Sequence, residues 1–284
     1  MRRDFDYIFY IRPSMKCNFR CDYCTRDIHP LDPHNHDFDI SSILWHAQLH
    51  PNALFSFCGH GETMMHPQFA DMIIEISKVS TVDFITNGTC FGESFDKIML
   101  NANLMNINSV GISYHADQVH DVAKYSTIIR NIRMKLGRCG IHTYITAIAT
   151  DYNYKSLIYG SRYFSDLVVS YPTEEFIRDG NVVCYAVSDE TKMMLMRAGI
   201  RPLSHIQPKE SFIGTVCPNG SMIFEVGETG IIYDCSFDEN RKIIGNINMK
   251  IEILKLPIDR ICASTSRQCS ECLRYSSNQL KKCS

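Results

Sequence analysis

Three cysteines near the amino terminus have the spacing needed to bind iron. Cys17, Cys21 and Cys24 lie in the segment CNFRCDYC. Three thiolates on one loop can ligate three irons of a cubane cluster and leave the fourth iron without a protein ligand, because no fourth cysteine or histidine follows at a neighbouring spacing. A small molecule could then bind the open iron. Structural zinc and buried core cysteines are the alternatives, although zinc usually takes four ligands in two pairs.

The composition excludes several classes of protein. The chain has 284 residues and 45% hydrophobic content, enough for a substantial core in one large domain or one and a half. A net charge of -2 gives no general basic field for nucleic acid or membrane. Thirteen cysteines, with Asp4 and Asp6 interrupting any signal-peptide core and no run of about eighteen apolar residues, predict a reducing cytoplasmic location and no membrane span.

Short apolar runs that alternate with helical patterns predict an α/β protein. The first strand is expected at residues 5–11, directly before the cysteine loop, and a helix at 40–50 with Ser41 as its cap precedes a second strand at 53–57. Six such alternations favour a parallel sheet with right-handed crossovers, closing as a partial (β/α)6 TIM-like barrel. Further strands are expected at 82–89, 110–114, 141–149 and 166–170, and helices at 66–80, 95–104, 127–136 and 190–198.

A second motif follows the second strand. In CGHGETMMHP, two glycines flank His60 and Glu62 comes next. The glycines predict a tight turn, where main-chain groups and a carboxylate can meet a ligand. Chemistry in α/β barrels lies at the carboxyl ends of strands, which is where this turn and the cysteine loop are both expected.

A second set of cysteines crowds the chain after Pro208. Cys217 and Cys235 flank MIFEVGETGIIYD, which predicts two strands joined by a glycine turn at residues 227–230. A hairpin would let the two thiols face one metal centre. Cys269 and Cys272 form a CxxC pair. Four thiolates in two pairs suit either a tetrahedral zinc or an iron-sulfur cluster, and the spacing does not choose between them.

The first motif resembles the radical S-adenosylmethionine (SAM) superfamily. Its signature is CxxxCxxC with an aromatic residue before the last cysteine, here Tyr23, and many members carry a sequence like Asn87-Gly88 after the third strand. In that family the amino and carboxylate groups of SAM chelate the open iron. One-electron reduction then yields a 5'-deoxyadenosyl radical, which takes a hydrogen atom from the substrate.

The resemblance also implies SAM contacts. The turn is similar to the GGE motif that binds the amino group of SAM, with His60 in place of the second glycine; the matching residues are Gly59, Gly61 and Glu62. Ser113 stands where members carry the serine of an SxDG motif, near the SAM carboxylate or ribose, although the next two residues depart from that pattern. We expect His115 to be a hydrogen-bonded residue of the barrel rim rather than a catalytic one.

The carboxyl-terminal cysteines resemble an auxiliary-cluster domain called SPASM, or Twitch in its shortened form. A cysteine, a glycine, four residues and a second cysteine open that domain, as in Cys217, Gly230 and Cys235. The resemblance implies a barrel at residues 1–205 and an auxiliary domain at 206–284. It implies one auxiliary iron-sulfur cluster on Cys217, Cys235, Cys269 and Cys272, with Cys262 and Cys283 as possible ligands.

The implied function is radical SAM chemistry with 4Fe-4S clusters, SAM and an electron donor such as flavodoxin or ferredoxin. The expected substrate is a small molecule, a nucleotide, or a modified base or amino-acid adduct, which is oxidised or rearranged. A peptide-modifying maturase is the alternative, and we expect it less because no leader-binding domain precedes the barrel. A non-catalytic zinc-binding interaction module is the alternative of another class. No catalytic residue is predicted.

Overall fold

The computed structural model describes residues 5–24, 36–59, 61–171, 175–178, 181–184, 187–202, 217, 219–235 and 242–257. Five strand-helix units are followed by a sixth strand. They are β1 (Tyr7–Ile11), α1 (Ile40–Leu49), β2 (Ala53–Phe57), α2 (Phe69–Ser77), β3 (Thr81–Thr86), α3 (Glu93–Asn101), β4 (Ile107–Ser113), α4 (Val122–Arg138), β5 (His142–Ile148), α5 (Tyr154–Gly160) and β6 (Leu167–Ser170).

The later elements are shorter. They are β7 (Glu175–Arg178), β8 (Asn181–Cys184), α6 (Asp189–Arg197), β9 (Arg201–Pro202), β10 (Ile223–Val226), β11 (Ile231–Tyr233) and β12 (Ile243–Asn246). Strands β7 and β8 form a separate antiparallel pair.

One ten-stranded sheet organises the described chain, in the order β12-β11-β10-β1-β2-β3-β4-β5-β6-β9. Strands β1 to β6 are neighbours in chain order and run parallel. Strand β10 lies parallel to β1 on its other side, and β11 and β12 continue antiparallel. The sheet is open, so the predicted partial (β/α)6 barrel is confirmed.

The side chains of the strands alternate between two environments. Phe9, Phe55 and Phe84 point to the helices and are almost fully buried with Ile73 and Ile98. Each large apolar side chain removed from water contributes about 1.5–3 kcal/mol, so this layer holds the helices against the sheet. The intervening positions point to the opposite, inward face of the partial barrel.

Some local predictions need correction. Helix α1 is capped by Asp39, whose carboxylate accepts a hydrogen bond from the N–H of Ser41, whereas the sequence suggested Ser41 itself. Helix α5 was not predicted because it is short and ends in Gly160. That glycine is required by packing, since a Cβ there would lie 2.6 Å from the ring of Tyr114.

The predicted carboxyl-terminal hairpin is present as β10 and β11. Gly227 donates its N–H to Ile231 O. Gly230 has φ +81°, a backbone conformation that residues other than glycine rarely adopt. The domain boundary at 205/206 stays a prediction, because residues 203–216 lie outside the described part. Among the helices described, none combines the length and apolar character required to cross a membrane.

Candidate functional site

The cysteine loop begins directly after β1. Arg12 donates its N–H to Val226 O, which anchors the start of the loop against β10. Cys21 is buried, and Cys17 and Cys24 are half-buried. Two hydrogen bonds shape the loop: the N–H of Cys24 donates to Cys21 O at 3.1 Å, and the N–H of Phe19 donates to Cys17 Sγ at 3.4 Å. The three thiols therefore lie at the carboxyl end of the sheet.

The glycine turn after β2 packs directly on the cysteine loop. Glu62 donates its N–H to Lys16 O at 2.8 Å. A Cβ on Gly61 would lie 2.3 Å from Ser14 O and 2.6 Å from Lys16 O, so only glycine allows this approach of the two backbones. Gly59 also lies in this turn, with Arg12 Cγ 3.0 Å from the position that a Cβ would take. His60 lies outside the described residues.

The carboxylate of Glu62 joins the turn after β2 to the end of β3. Its Oε1 accepts hydrogen bonds from the Thr86 hydroxyl at 2.6 Å and the N–H of Met64 at 3.1 Å, and its Oε2 accepts from the N–H of Asn87 at 2.6 Å. The residue is only 2% exposed. Burial raises the pKa of Glu62, and the three hydrogen bonds partly offset that rise.

Asn87 connects three parts of the site. Its side-chain Nδ2 donates to Asn18 Oδ1 at 2.8 Å and lies 3.9 Å from Cys17 Sγ. Its main-chain oxygen accepts a 2.8 Å hydrogen bond from the Tyr125 hydroxyl. Asn87 thus fixes the cysteine loop, the Glu62 carboxylate and α4 relative to one another.

The segment after β4 packs against the other side of the cysteine loop. His115 Nδ1 lies 3.2 Å from Cys21 Sγ and 2.9 Å from Tyr23 Oη. The phenol of Tyr23 also donates to Asp117 Oδ1 at 3.3 Å. Gln118 pairs with the main chain of Arg20 in both directions. His115 is therefore hydrogen-bonded, as expected from the sequence.

Burial dominates the electrostatics of this segment. It raises the pKa of Cys21 to about 12, with the Asp117 charge adding to the rise. Burial likewise lowers the pKa of His115 to about 4, so the imidazole is neutral at pH 7. The pKa of Tyr23 is raised, again mainly by burial. The ligand-free Cys21 is thus a neutral thiol, and a metal that binds it must displace its proton.

Ser113 is the last residue of β4 and pairs in register with Thr146 of β5. It is half-buried at the carboxyl end of the sheet. The contacts with the cysteine loop that are described in this segment are made by His115, Asp117 and Gln118.

The donor set suits an iron-sulfur cluster. Three thiols lie on one loop, and Cys17 and Cys24 are both close enough to Cys21 to contribute to the raised pKa of its thiol. Among the described residues, no three His, Cys, Asp or Glu side chains are gathered closely enough to hold a single metal ion. Each iron of a cubane takes its own thiolate, so cluster ligands stand further apart than the ligands of one ion. The ligand set of Cys17, Cys21 and Cys24 stays a prediction.

Cys217 and Cys235 are both buried at the open end of the β10–β11 hairpin. Gly220 lies close to this end, since a Cβ there would be 3.6 Å from Asp234 Cα. The N–H of Leu256 donates to Gly220 O at 2.8 Å, which brings the last described residues to the same place. The other four predicted ligands lie outside the described residues: Cys262, Cys269, Cys272 and Cys283.

Several contacts of the site were not foreseen from the sequence. The side chains of Asn87, Asp117 and Gln118 contact the cysteine loop. Of these residues, only Asn87 belongs to a motif that the sequence predicts. Their shared signal is position: each lies within a few residues of the carboxyl end of a parallel strand, where α/β barrels gather functional groups.

The architecture is that of known SAM-binding proteins. The chain superposes on anSMEcpe with bound AdoMet at a TM-score of 0.56 and 18% identity, covering 85% of this chain and 78% of that one. It superposes on SuiB of Streptococcus suis, bound to its precursor peptide SuiA, at a TM-score of 0.57 and 14% identity, covering 86% and 63%. Both neighbours are radical SAM enzymes. At these identities the likeness shows the fold alone.

One curated protein is similar in sequence. It is a tungsten-containing aldehyde ferredoxin oxidoreductase cofactor-modifying protein of Pyrococcus furiosus, 24% identical over 179 residues. The match covers 56% of this chain and 48% of the relative, so the chain spans about half the length of that protein. No protein-family model matches the chain.

Proposed function

We propose that this protein is a radical SAM enzyme whose first cluster is held by Cys17, Cys21 and Cys24. When bound, that 4Fe-4S cluster would supply the electron that cleaves SAM to a 5'-deoxyadenosyl radical, which abstracts a substrate hydrogen. We place the enzyme in the reducing cytoplasm, with flavodoxin or ferredoxin as electron donor.

The single observation that carries the proposal is the backbone contact between the two motifs. Residues 14–16 of the cysteine loop and residues 61–62 of the glycine turn meet through the Glu62–Lys16 hydrogen bond and the close approach at Gly61. The two segments are separate in the chain and were predicted separately from their residue types. A ligand on an iron held by the loop would therefore lie next to the turn.

The chain's own groups would bind and orient SAM. Within the described residues Oε2 of Glu62 accepts one hydrogen bond, so a lone pair remains for the amino group of SAM. Tyr23 is held in place by His115 and Asp117, beside the last cysteine. Ser113 is our remaining candidate for the SAM carboxylate or ribose, together with main-chain groups of the turn at Gly59 and Gly61.

For the substrate we favour a small molecule, a nucleotide, or a modified base or amino-acid adduct. The similar protein of Pyrococcus furiosus is named as cofactor-modifying, which is consistent with a small-molecule substrate. A peptide substrate is the second candidate, because the superposed SuiB chain is bound to a precursor peptide. Net oxidation and rearrangement are both compatible with the proposal.

We further propose an auxiliary iron-sulfur cluster on the carboxyl-terminal cysteines. The hydrogen bond from Leu256 to Gly220 supports it, because the chain enters its last segment beside Cys217 and Cys235. Cys269 and Cys272 would complete the set, with Cys262 and Cys283 as possible replacements. This cluster could accept an electron from the substrate or relay one.

Anaerobic reconstitution tests the proposal. The protein with iron and sulfide should bind about two four-iron clusters and form 5'-deoxyadenosine from SAM and dithionite. Replacing Cys17, Cys21 or Cys24 by alanine should abolish nucleoside formation and the change in the electron paramagnetic resonance spectrum that SAM causes. Cys139→Ala is the matched control, because Cys139 is a half-buried cysteine at the end of α4.

Other outcomes would contradict the proposal. A colourless protein that binds zinc and ignores SAM would establish the interaction module instead. Full nucleoside formation by the three alanine variants would exclude the loop as the cluster site.

A further inference from the structure

The inward face of the sheet carries a continuous row of polar side chains. Strand register places Tyr10 beside Ser56, Ser56 beside Asp83, and Asp83 beside Ser109. On the other side of β1, Tyr10 is in register with Glu225 of β10. Residues in register on parallel strands point to the same face, and this face is opposite to the helices.

Such a row is unusual for a buried sheet. Strands of parallel sheets are generally apolar on both faces because helices cover both. Here the helix-facing positions are phenylalanine, isoleucine and valine, whereas this inward row has hydroxyls and carboxylates. The other members of the row are buried, whereas Asp83 keeps intermediate exposure, so its carboxylate is the member of the row best placed to meet a polar ligand.

One of the two carboxylates in the row already has a cationic partner. Arg12 Nη2 lies 2.9 Å from Glu225 Oε2, and the two side chains are 22% and 8% exposed. This pair neutralises the β10 end of the row.

Asp83 has only neutral partners among the described residues. Hydroxyl and amide groups of Ser56, Asn108 and Ser109 contact its carboxylate, and Ser109 Oγ lies 3.5 Å from Asp83 Oδ2. No described cation contributes to its electrostatics, and burial raises the pKa of Asp83 to about 6. A half-buried carboxylate with neutral neighbours retains part of its desolvation cost, which a bound cation would offset.

The position of Asp83 fits a substrate rather than SAM. Asp83 lies on β3, four residues before Asn87, which directly follows that strand and lies near Cys17. At about 3.3 Å per residue, Asp83 lies roughly 13 Å from Asn87 along the chain, on the side away from the cysteine loop. A molecule held there would extend from the middle of the sheet toward the site where SAM is expected.

We propose that Asp83 binds a positively charged nitrogen group of the substrate on this inward face. The inference rests on the proposed function, because it assumes that chemistry takes place at the cysteine loop above. It makes Asp83 a specificity-determining residue and predicts a substrate that carries a basic nitrogen, in either the small-molecule or the peptide class.

The test uses n-butylammonium as a cationic probe, with butyrate and 1-butanol as matched probes of other charge. Binding to the reconstituted full chain is measured by ligand-observed nuclear magnetic resonance. Wild type should prefer n-butylammonium, and Asp83→Asn should weaken that binding at least about tenfold, as expected for the loss of a charged hydrogen bond. Asp71→Asn is the control, because Asp71 is a carboxylate on the outer helix α2, ion-paired with Lys97.

Three results would overturn the inference: equal binding of butyrate and n-butylammonium, unchanged n-butylammonium binding by Asp83→Asn, or a parallel loss of SAM affinity in that variant. The last result would make Asp83 a SAM contact. Nucleoside formation by wild type is measured separately. Its absence would reject the proposed function, whereas the probe experiment addresses Asp83 alone.

Discussion

The main-chain N–H of Asn87 donates a 2.6 Å hydrogen bond to the carboxylate of Glu62. This contact joins the turns that follow two neighbouring strands, β2 and β3. Since Asn87 also contacts Asn18 and lies near Cys17, the cysteine loop is held in place through the same residue. The turn after β2, the turn after β3 and the cysteine loop therefore hold one another in position.

Replacing Glu62 by glutamine should damage this junction. Three donors face the carboxylate, and an amide must turn its own N–H groups toward at least one of them. We expect a loss of about 1–3 kcal/mol in the free energy of unfolding, together with weaker SAM binding. Urea unfolding and equilibrium SAM binding measure the two effects. Glu75→Gln, on the exposed side of α2, should change neither.

Replacing Gly61 by alanine should separate the two motifs. The new methyl group would meet the carbonyl oxygens of Ser14 and Lys16, which belong to the backbone and cannot rotate away. We expect the free energy of unfolding to fall by about 1–3 kcal/mol and the iron content after reconstitution to be lower. Gly137→Ala is the control, because no neighbouring atom lies within 4 Å of the added carbon. Normal iron content in Gly61→Ala would show that the close approach is dispensable.

Replacing Cys217 and Cys235 by alanine should remove the auxiliary cluster. Iron content should fall from about eight to about four atoms per chain, with the spectrum of the first cluster retained. Iron analysis and electron paramagnetic resonance measure these changes, and Cys139→Ala again serves as the control. Unchanged iron content in the double variant would place any second cluster on other residues.

Asp83 should make stability depend on pH. Its pKa is raised from 3.8 to about 6, so the folded state binds the proton more tightly than the unfolded state. The stabilising contribution is complete below pH 3.8 and is lost as the pH rises through 6. Because the residue is only half-buried, we expect Asp83→Asn to be more stable than wild type by about 1–2 kcal/mol at pH 8.

Urea unfolding between pH 5 and pH 8 measures this difference. The stability gap between Asp83→Asn and wild type should widen with rising pH, whereas Asp71→Asn should follow wild type. A constant gap would mean that Asp83 does not titrate in this range.

Local pattern was sufficient to predict much of the architecture. Strand β2 coincides with its predicted range because four of its five residues are apolar and the run lies between Pro51-Asn52 and a glycine turn. The carboxyl-terminal hairpin was predicted from its glycine turn. Helix α5 and the β7–β8 pair were missed because they are short, and a short segment carries little periodicity.

The side-chain contacts within the site could not be predicted in the same way. Nothing in the local sequence indicates that His115 contacts Cys21, or that Asn87 contacts Asn18. These contacts arise because parallel strands bring the segments after β1, β3 and β4 to one edge of the sheet. The local hydrophobic pattern predicts the strands, but the contacts of each side chain depend on how the strands assemble into the sheet.

The pairing of β1 with β10 has a consequence for biosynthesis. Ile8 is in register with Ile223, so the strand that carries the cysteine loop has only one of its two neighbours until the ribosome has made residues 223–226. Arg12 likewise cannot meet Val226 or Glu225 before that point in translation. The cysteine loop therefore gains the support of β10 only after residues 223–226 have been made, and the proposed cluster would be bound on a finished loop only after that step.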